Sequence, residues 1–583
     1  MLNGSRTEPL QLALFACAHN CSVESRLKSL KVLPLLFVYV GLCCLSIPLG
    51  AQSGSMVSPA SALADPLAPT HGVKTADEID REWQLSVSKY DARREALLKE
   101  ADRQAHDGPY RPDWETLRNH EIPQWFRDAK FGIFIGWGVY AVPGAVNEWY
   151  PHNMYRPGDP AYQDFTKRFG SFDTGKGYKD FIPQFRAERF DPHDWVQLFK
   201  QAGAKYVIPI AEHHDGFSMY DSELSDWTVV KMGPRRDVLA DLSRETRAAG
   251  LHFGFSSHRA EHNYYYDEGR LIRSDVNDPK YAAFYGPAHQ WLNDPHFLPY
   301  DEWTYVSPAW TADWLARAVE LVEKYKPELV YFDGGNGQPA FRPRVTEFAA
   351  FYDNWAQRNG VAGVITIKDY AMEWTAGARD FERSMRTDID PRPWQTDTAI
   401  SKLSWGYMEH DEFKTPEDLI HQLVDTVSKN GNLLLSIGPR ADGTIPDEVR
   451  GILLSMGAWL NRNGEAIYAT QPWKISGEGP TAVKTGFASD QTMKPYTAED
   501  FRFTRKGNNL YVISLACPAD GTSAIRSLGL AGEAKGLKIE GVDLLGSQQK
   551  MDWLQTTDAL NVKLPSDAAC MYGFALRVRF AAL

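Results

Sequence analysis

Past residue 125, short apolar runs alternate with stretches whose apolar residues recur at helical spacing, the pattern of buried strands joined by amphipathic helices. Residues 131–135, 205–210, 251–255, 329–332, 363–367 and 432–437 read as strands, with helices expected at 194–202, 237–249, 314–325 and 419–429. The alternation predicts an α/β chain: a (β/α)8-type barrel with loop insertions. An open doubly wound sheet competes, but no glycine-rich phosphate fingerprint follows the first strand. Residues 258–307 form a long aromatic excursion, read as a loop over the barrel mouth. After Trp473 the period shortens to that of strands, at 501–504, 510–515 and 576–580, with Lys506-Gly507-Asn508-Asn509 as a hairpin turn. A C-terminal antiparallel β-sandwich follows, at 480–583.

The first hundred residues are patterned differently. Arg26, Lys28 and Lys31 precede an apolar run at 32–50 and then a small, polar stretch. That is the order of a secretory signal, with a retained membrane anchor as the alternative. The expected organisation is a leader at 1–51, a linker and N-terminal surface helix at 52–110, and the barrel at 111–475. The chain is therefore expected to be exported to the periplasm or the cell exterior, with no stable membrane insertion once the leader is removed. Four of the six cysteines lie in the leader, leaving Cys517 and Cys570, whose pairing is allowed but not demanded. A formal charge of −12 argues against a nucleic-acid groove or an anionic membrane surface as partner.

Asp333 carries the strongest chemical signal. The apolar run 329–332 ends abruptly in this acid and two glycines, so Asp333 stands at a strand's C-terminal tip, where barrels gather catalytic groups. A helix N-cap is the plain alternative. Glu212-His213-His214-Asp215 follows the second strand at the same end. Adjacent histidines on an extended chain point to opposite sides, so they suit hydroxyl contacts better than one shared metal. Glu148 beside Trp149 pairs a carboxylate with a ring, the combination that meets a sugar's polar edge and apolar face. Arg379-Asp380-Phe381-Glu382-Arg383 places two carboxylates among arginines and, taken alone, reads as a surface charge cluster. Pro393-Trp394-Gln395-Thr396-Asp397 and Ser404-Trp405-Gly406-Tyr407 add loop aromatics. No metalloprotease helix motif or nucleophile elbow is present.

Taken in order, Phe131 to Tyr140, Glu148-Trp149-Tyr150, His213 to Phe217, Tyr331 to Gly334, Ser404 to Tyr407, Asn430 to Leu435 and Gly464 to Tyr468 resemble glycoside hydrolase family 29, the α-L-fucosidases. The resemblance implies a retaining exo-hydrolase of fucosylated oligosaccharides or glycoconjugates, with no metal or organic cofactor. Asp333 matches the family nucleophile, and Glu382 is the closest counterpart of the acid/base, with Glu373 and Asp380 as alternatives. His213, His214, Glu148 and Trp149 correspond to sugar-binding positions, Tyr331 to an aromatic lining position, and Trp405 is counted with them. The chain departs from the family at Gly136, where histidine is usual, and at Gln395, where many relatives carry glutamate. Those departures keep two rivals open, a related α-L-galactoside-type hydrolase and a non-catalytic glycan-binding barrel.

Overall fold

The computed structural model describes residues 74–292, 301–368, 370–566 and 569–582; the expected leader lies outside them. Eight parallel strands run around a barrel: β1 (Phe131–Ile135), β2 (Tyr206–Glu212), β3 (His252–Ser257), β4 (Leu329–Phe332), β5 (Val364–Ile367), β6 (Ala378–Arg379), β7 (Trp394–Ala399) and β8 (Gly431–Ile437). Their order is β6-β5-β4-β3-β2-β1-β8-β7. The sheet closes through a parallel bridge between Asp380 and Gln395, where Phe381 N donates to Gln395 O at 2.9 Å.

Six of these strands sit where the apolar runs place them. β6 and β7 do not: β6 is two residues long, and β7 reads Trp-Gln-Thr-Asp-Thr-Ala yet is buried throughout. Its polar side chains are satisfied from within. Gln395 Nε2 donates to Asp380 at 2.6 Å, and Thr396 Oγ1 donates to Phe381 O at 2.7 Å. A buried polar group that finds a partner loses little by leaving water, so a strand need not be apolar to be central. The segment 379–383 is accordingly no surface charge cluster, because Asp380 and Arg383 are buried in the wall of the barrel.

Local signals explain the helices. Pro308–Tyr325 starts at Ser307, whose hydroxyl accepts from Trp310 N, with proline at the first helical position, where no N–H is needed. Pro416–Ser428 opens on a reciprocal capping box between Thr415 and Asp418. The predicted single surface helix at 77–105 is two helices, Ala76–Val87 and Asp91–Ala105, hinged at a tight turn. They are not merely superficial: Trp83 packs edge-on against Trp310 at 4.9 Å, and Leu97 and Ala101 are buried. The excursion at 258–307 holds short helical turns such as Asp267–Arg270, with buried Tyr264, Tyr265 and Tyr266.

Phe134, Ile208, Ile210, Tyr331 and Leu434 fill the barrel's interior. Gly132 is required there, since a Cβ would meet the Tyr206 ring at 2.4 Å. Beyond the barrel stand two antiparallel sheets, one of five strands beginning with Gln471–Glu478 and one of three. The five-stranded sheet docks on the barrel helices Pro416–Ser428 and Asp447–Asn463, and Trp459 Nε1 of the second donates to Gly573 O at 3.1 Å. Cys517 and Cys570 form a disulfide, Cα–Cα 5.8 Å.

Candidate active site

At the C-terminal mouth, the tips of β4 and β5 place Asp333 and Lys368 side by side. The Lys368 ammonium lies 2.8 Å from Asp333 Oδ1, 2.9 Å from Glu382 Oε2 and 3.0 Å from Asp397 Oδ2. The Asp333 and Glu382 oxygens on this one nitrogen can stand no more than about 6 Å apart, short of an inverting pair and compatible with double displacement. Asp333 keeps its backbone in the sheet, with N donating to Ser257 O at 3.3 Å, so its side chain leaves a fixed platform. On its other side His258 Nδ1 lies 2.7 Å and His214 Nε2 3.5 Å from Oδ2.

Of the three carboxyls on Lys368, Asp333 and Glu382 are driven in opposite directions. Burial works against ionisation of Asp333, but the ammonium of Lys368 and the imidazoles of His258 and His214 outweigh it and hold the carboxyl well below its usual range. Burial also opposes ionisation of Glu382. Here Lys368 is countered by the nearby Asp397 and Asp333 carboxylates, and the pKa rises to about 7. One carboxylate kept charged beside one kept protonated is the division of labour that a glycosidic bond requires.

A second layer supports them. Tyr331 OH donates to Asp397 Oδ2 at 2.8 Å, and Tyr206 OH donates to Gln395 Oε1 at 2.9 Å. Tyr331 is fully buried, so it sits beneath the pocket and steadies Asp397 rather than offering a free face to a ligand. Asp380, one of the alternative donors, is enclosed in the same layer. Glu373, the other, faces outward and pairs with Arg118 at 3.1 Å.

The predicted sugar-binding residues converge above this floor. Trp149 stacks on the His214 ring at 5.2 Å, and His213 packs against Tyr140 at 4.6 Å. Contrary to the extended-chain expectation, the His213 and His214 rings lie together, 4.5 Å apart, because the chain leaves β2 in a turn over 213–216 closed by Gly216 N donating to His213 O at 3.1 Å. With His258 they bring ring nitrogens within 4.8 Å of one another. That donor set could hold a borderline transition metal or a row of hydroxyls; burial favours the neutral form of His213 and His214, the form metal ligation requires. Glu148 Oε2 accepts from Ser404 Oγ at 2.7 Å and Trp405 N at 2.9 Å, tying the Trp405 loop to the mouth. Gly136 explains that loop's position: a Cβ there would lie 2.2 Å from the Trp405 carbonyl oxygen. The space given to a histidine in the family is thus taken by backbone.

Sequence reasoning missed Lys368, Asp397 and the role of His258. Lys368 did carry a signal, since it follows the β5 run as Asp333 follows β4.

A closed parallel barrel with two unlike carboxyls held on one ammonium at its C-terminal mouth defines a glycosidase-type site. The chain belongs to the α-L-fucosidase family, glycoside hydrolase family 29: the family model "Alpha-L-fucosidase" matches residues 97–465, and the model of the family's C-terminal domain matches 494–579. It is 31% identical to human plasma α-L-fucosidase over 485 residues, covering 80% of this chain and 91% of that one. It is 30% identical to rat tissue α-L-fucosidase over 458 residues, covering 76% and 86%. Among solved structures it resembles the Thermotoga maritima α-fucosidase in complex with a mechanism-based inhibitor, with a TM-score of 0.63 and 29% identity, covering 81% of this chain and all of that one.

Proposed function

We propose that this chain is a retaining exo-α-L-fucosidase that removes terminal fucose from oligosaccharides or glycoconjugates. Asp333 attacks the anomeric carbon while Glu382 passes its proton to the departing glycosidic oxygen. This gives a fucosyl ester on Asp333 and a free aglycone. Glu382, now a carboxylate, takes a proton from water, which opens the ester and restores Asp333. His213, His214 and Glu148 meet the sugar's hydroxyls, while Trp149 and Trp405 offer ring faces. The observation that supports this reading is the Lys368 ammonium, which holds Asp333 and Glu382 closer than an inverting pair stands and favours the ionised form of the first.

The test is covalent. A 2-fluoro-fucosyl donor should trap the ester, and peptide mapping should find the label on Asp333; a label elsewhere would end the assignment. Asp333→Ala should lower turnover by roughly ten-thousandfold on every fucoside. Glu382→Ala should spare activated aryl fucosides and regain rate with azide as a fucosyl azide. If azide does nothing, Glu382 is not the donor.

We also infer export. The patterned leader favours it, as does the similarity to a plasma enzyme. So does the Cys517–Cys570 disulfide, a bond that persists in oxidising compartments.

A further inference from the structure

On the outer face of the barrel wall, behind Glu382, lies a pocket of about 260 Å³ whose lining includes Arg379, Arg386, Arg392, Trp374, Phe381 and Asp390. Three guanidiniums face one carboxylate there, in a chain whose net charge is −12. Asp390 pairs with Arg386 at 3.2 Å. Arg379 and Arg392 have no carboxylate partner among the described residues; Arg392 donates from Nη2 to Thr375 O at 2.9 Å, while its Nε is buried with no acceptor. The Phe381 ring is flanked by Arg379 at 4.7 Å and Arg386 at 4.5 Å, while Trp374 is 51% exposed with Arg392 beside its ring. Guanidiniums without a carboxylate partner next to an open aromatic face are what an acidic sugar needs, its anion taken by the fork and its ring by the indole.

The pocket is open because the barrel's helical coat is interrupted. Among the described residues, the connections from β5 to β6 and from β6 to β7 contain no helix. Side chains alternate along the segment that leaves β6: Asp380 and Glu382 turn inward, Arg379 and Phe381 outward. A general acid must lie on the leaving-group side of the bond it protonates. The aglycone therefore leaves past Glu382 and over this rim, on whose outer side the pocket lies.

We propose that this pocket is an anion subsite of the leaving group, taking a sulfate ester or a carboxylate carried by the glycan one or two sugars beyond the fucosyl unit. The proposal rests on the reading of Glu382 as acid/base. Its test compares a neutral aryl α-L-fucoside with three matched fucosylated oligosaccharides: neutral, sulfated on the second sugar beyond fucose, and bearing a uronic acid there. At least one anionic member should show a KM roughly tenfold below that of its neutral counterpart, an advantage that shrinks in high salt. The sulfate and uronate arms show which anion is read. Arg379→Gln and Arg392→Gln should each erase the advantage and leave kcat/KM on the aryl fucoside unchanged. Equal KM for all three oligosaccharides, or arginine variants that weaken every substrate alike, overturns the subsite. If no α-L-fucoside is hydrolysed, it is the enzymatic reading that falls. The subsite is then judged by calorimetric titration with the sulfated oligosaccharide: binding lost in both variants supports it, and absence of binding to the wild type refutes it.

Discussion

Asp333 and Glu382 are chemically similar acids that share one counter-ion, and the different roles proposed for them come from what else surrounds each. Asp333 has imidazoles on its far side, whereas Glu382 has further carboxylates. The proposed cycle needs Glu382 protonated and Asp333 ionised. kcat/KM should therefore fall as pH rises through about 7, with the acid limb set by Asp333 far lower. Lys368 lowers both groups, so Lys368→Met should move both limbs upward and reduce kcat, while Lys368→Arg should restore the acid limb. A profile of unchanged shape in Lys368→Met would show that the ammonium does not set these pKa values.

At the scale of elements, the mouth is braced by buried charges. Arg259 spans Glu212 at 2.7 Å and Asp313 at 2.7 Å, and Arg317 spans the same two acids at 3.0 and 3.1 Å. This buried square pins the end of β2 and the loop after β3 to the helix Pro308–Tyr325, immediately below His213 and His258. Removing Arg317 takes one of two guanidiniums from Glu212 and Asp313, leaving Arg259 on both and Arg94 on Asp313 at 3.0 Å. Arg317→Met should thus cost about 1–3 kcal/mol, less than a wholly uncompensated buried charge, read as a lowered midpoint in denaturant unfolding. A midpoint equal to wild type would mean the square is dispensable. The element hardest to foresee was β7, because an apolar run marks burial by contact, whereas Gln395, Thr396 and Asp397 are buried through hydrogen bonds to groups on other strands.

Across the whole molecule, the C-terminal domain docks on the barrel's outer helices and contributes none of the side chains described at the mouth. The disulfide closes 53 residues of that domain. In the chain-entropy model such a loop contributes about 4 kcal/mol. Mild reduction should lower the calorimetric transition of the C-terminal domain while leaving kcat on an aryl fucoside unchanged. A parallel loss of activity would tie that domain to the chemistry.

The amino-acid order alone determined where six barrel strands lie, that an acid ends the fourth, and that histidines and a Glu-Trp pair share its end of the barrel. Each of those readings depends on local period and chain direction, which neighbouring residues encode. Only tertiary structure decided that Lys368 bridges Asp333 and Glu382, that Asp397 lies within its reach, that Gly136 admits the Trp405 loop, and that three arginines open behind the acid. Those are meetings between distant segments, governed by barrel closure and the partners available to each buried charge, and no local pattern records which partner is within reach.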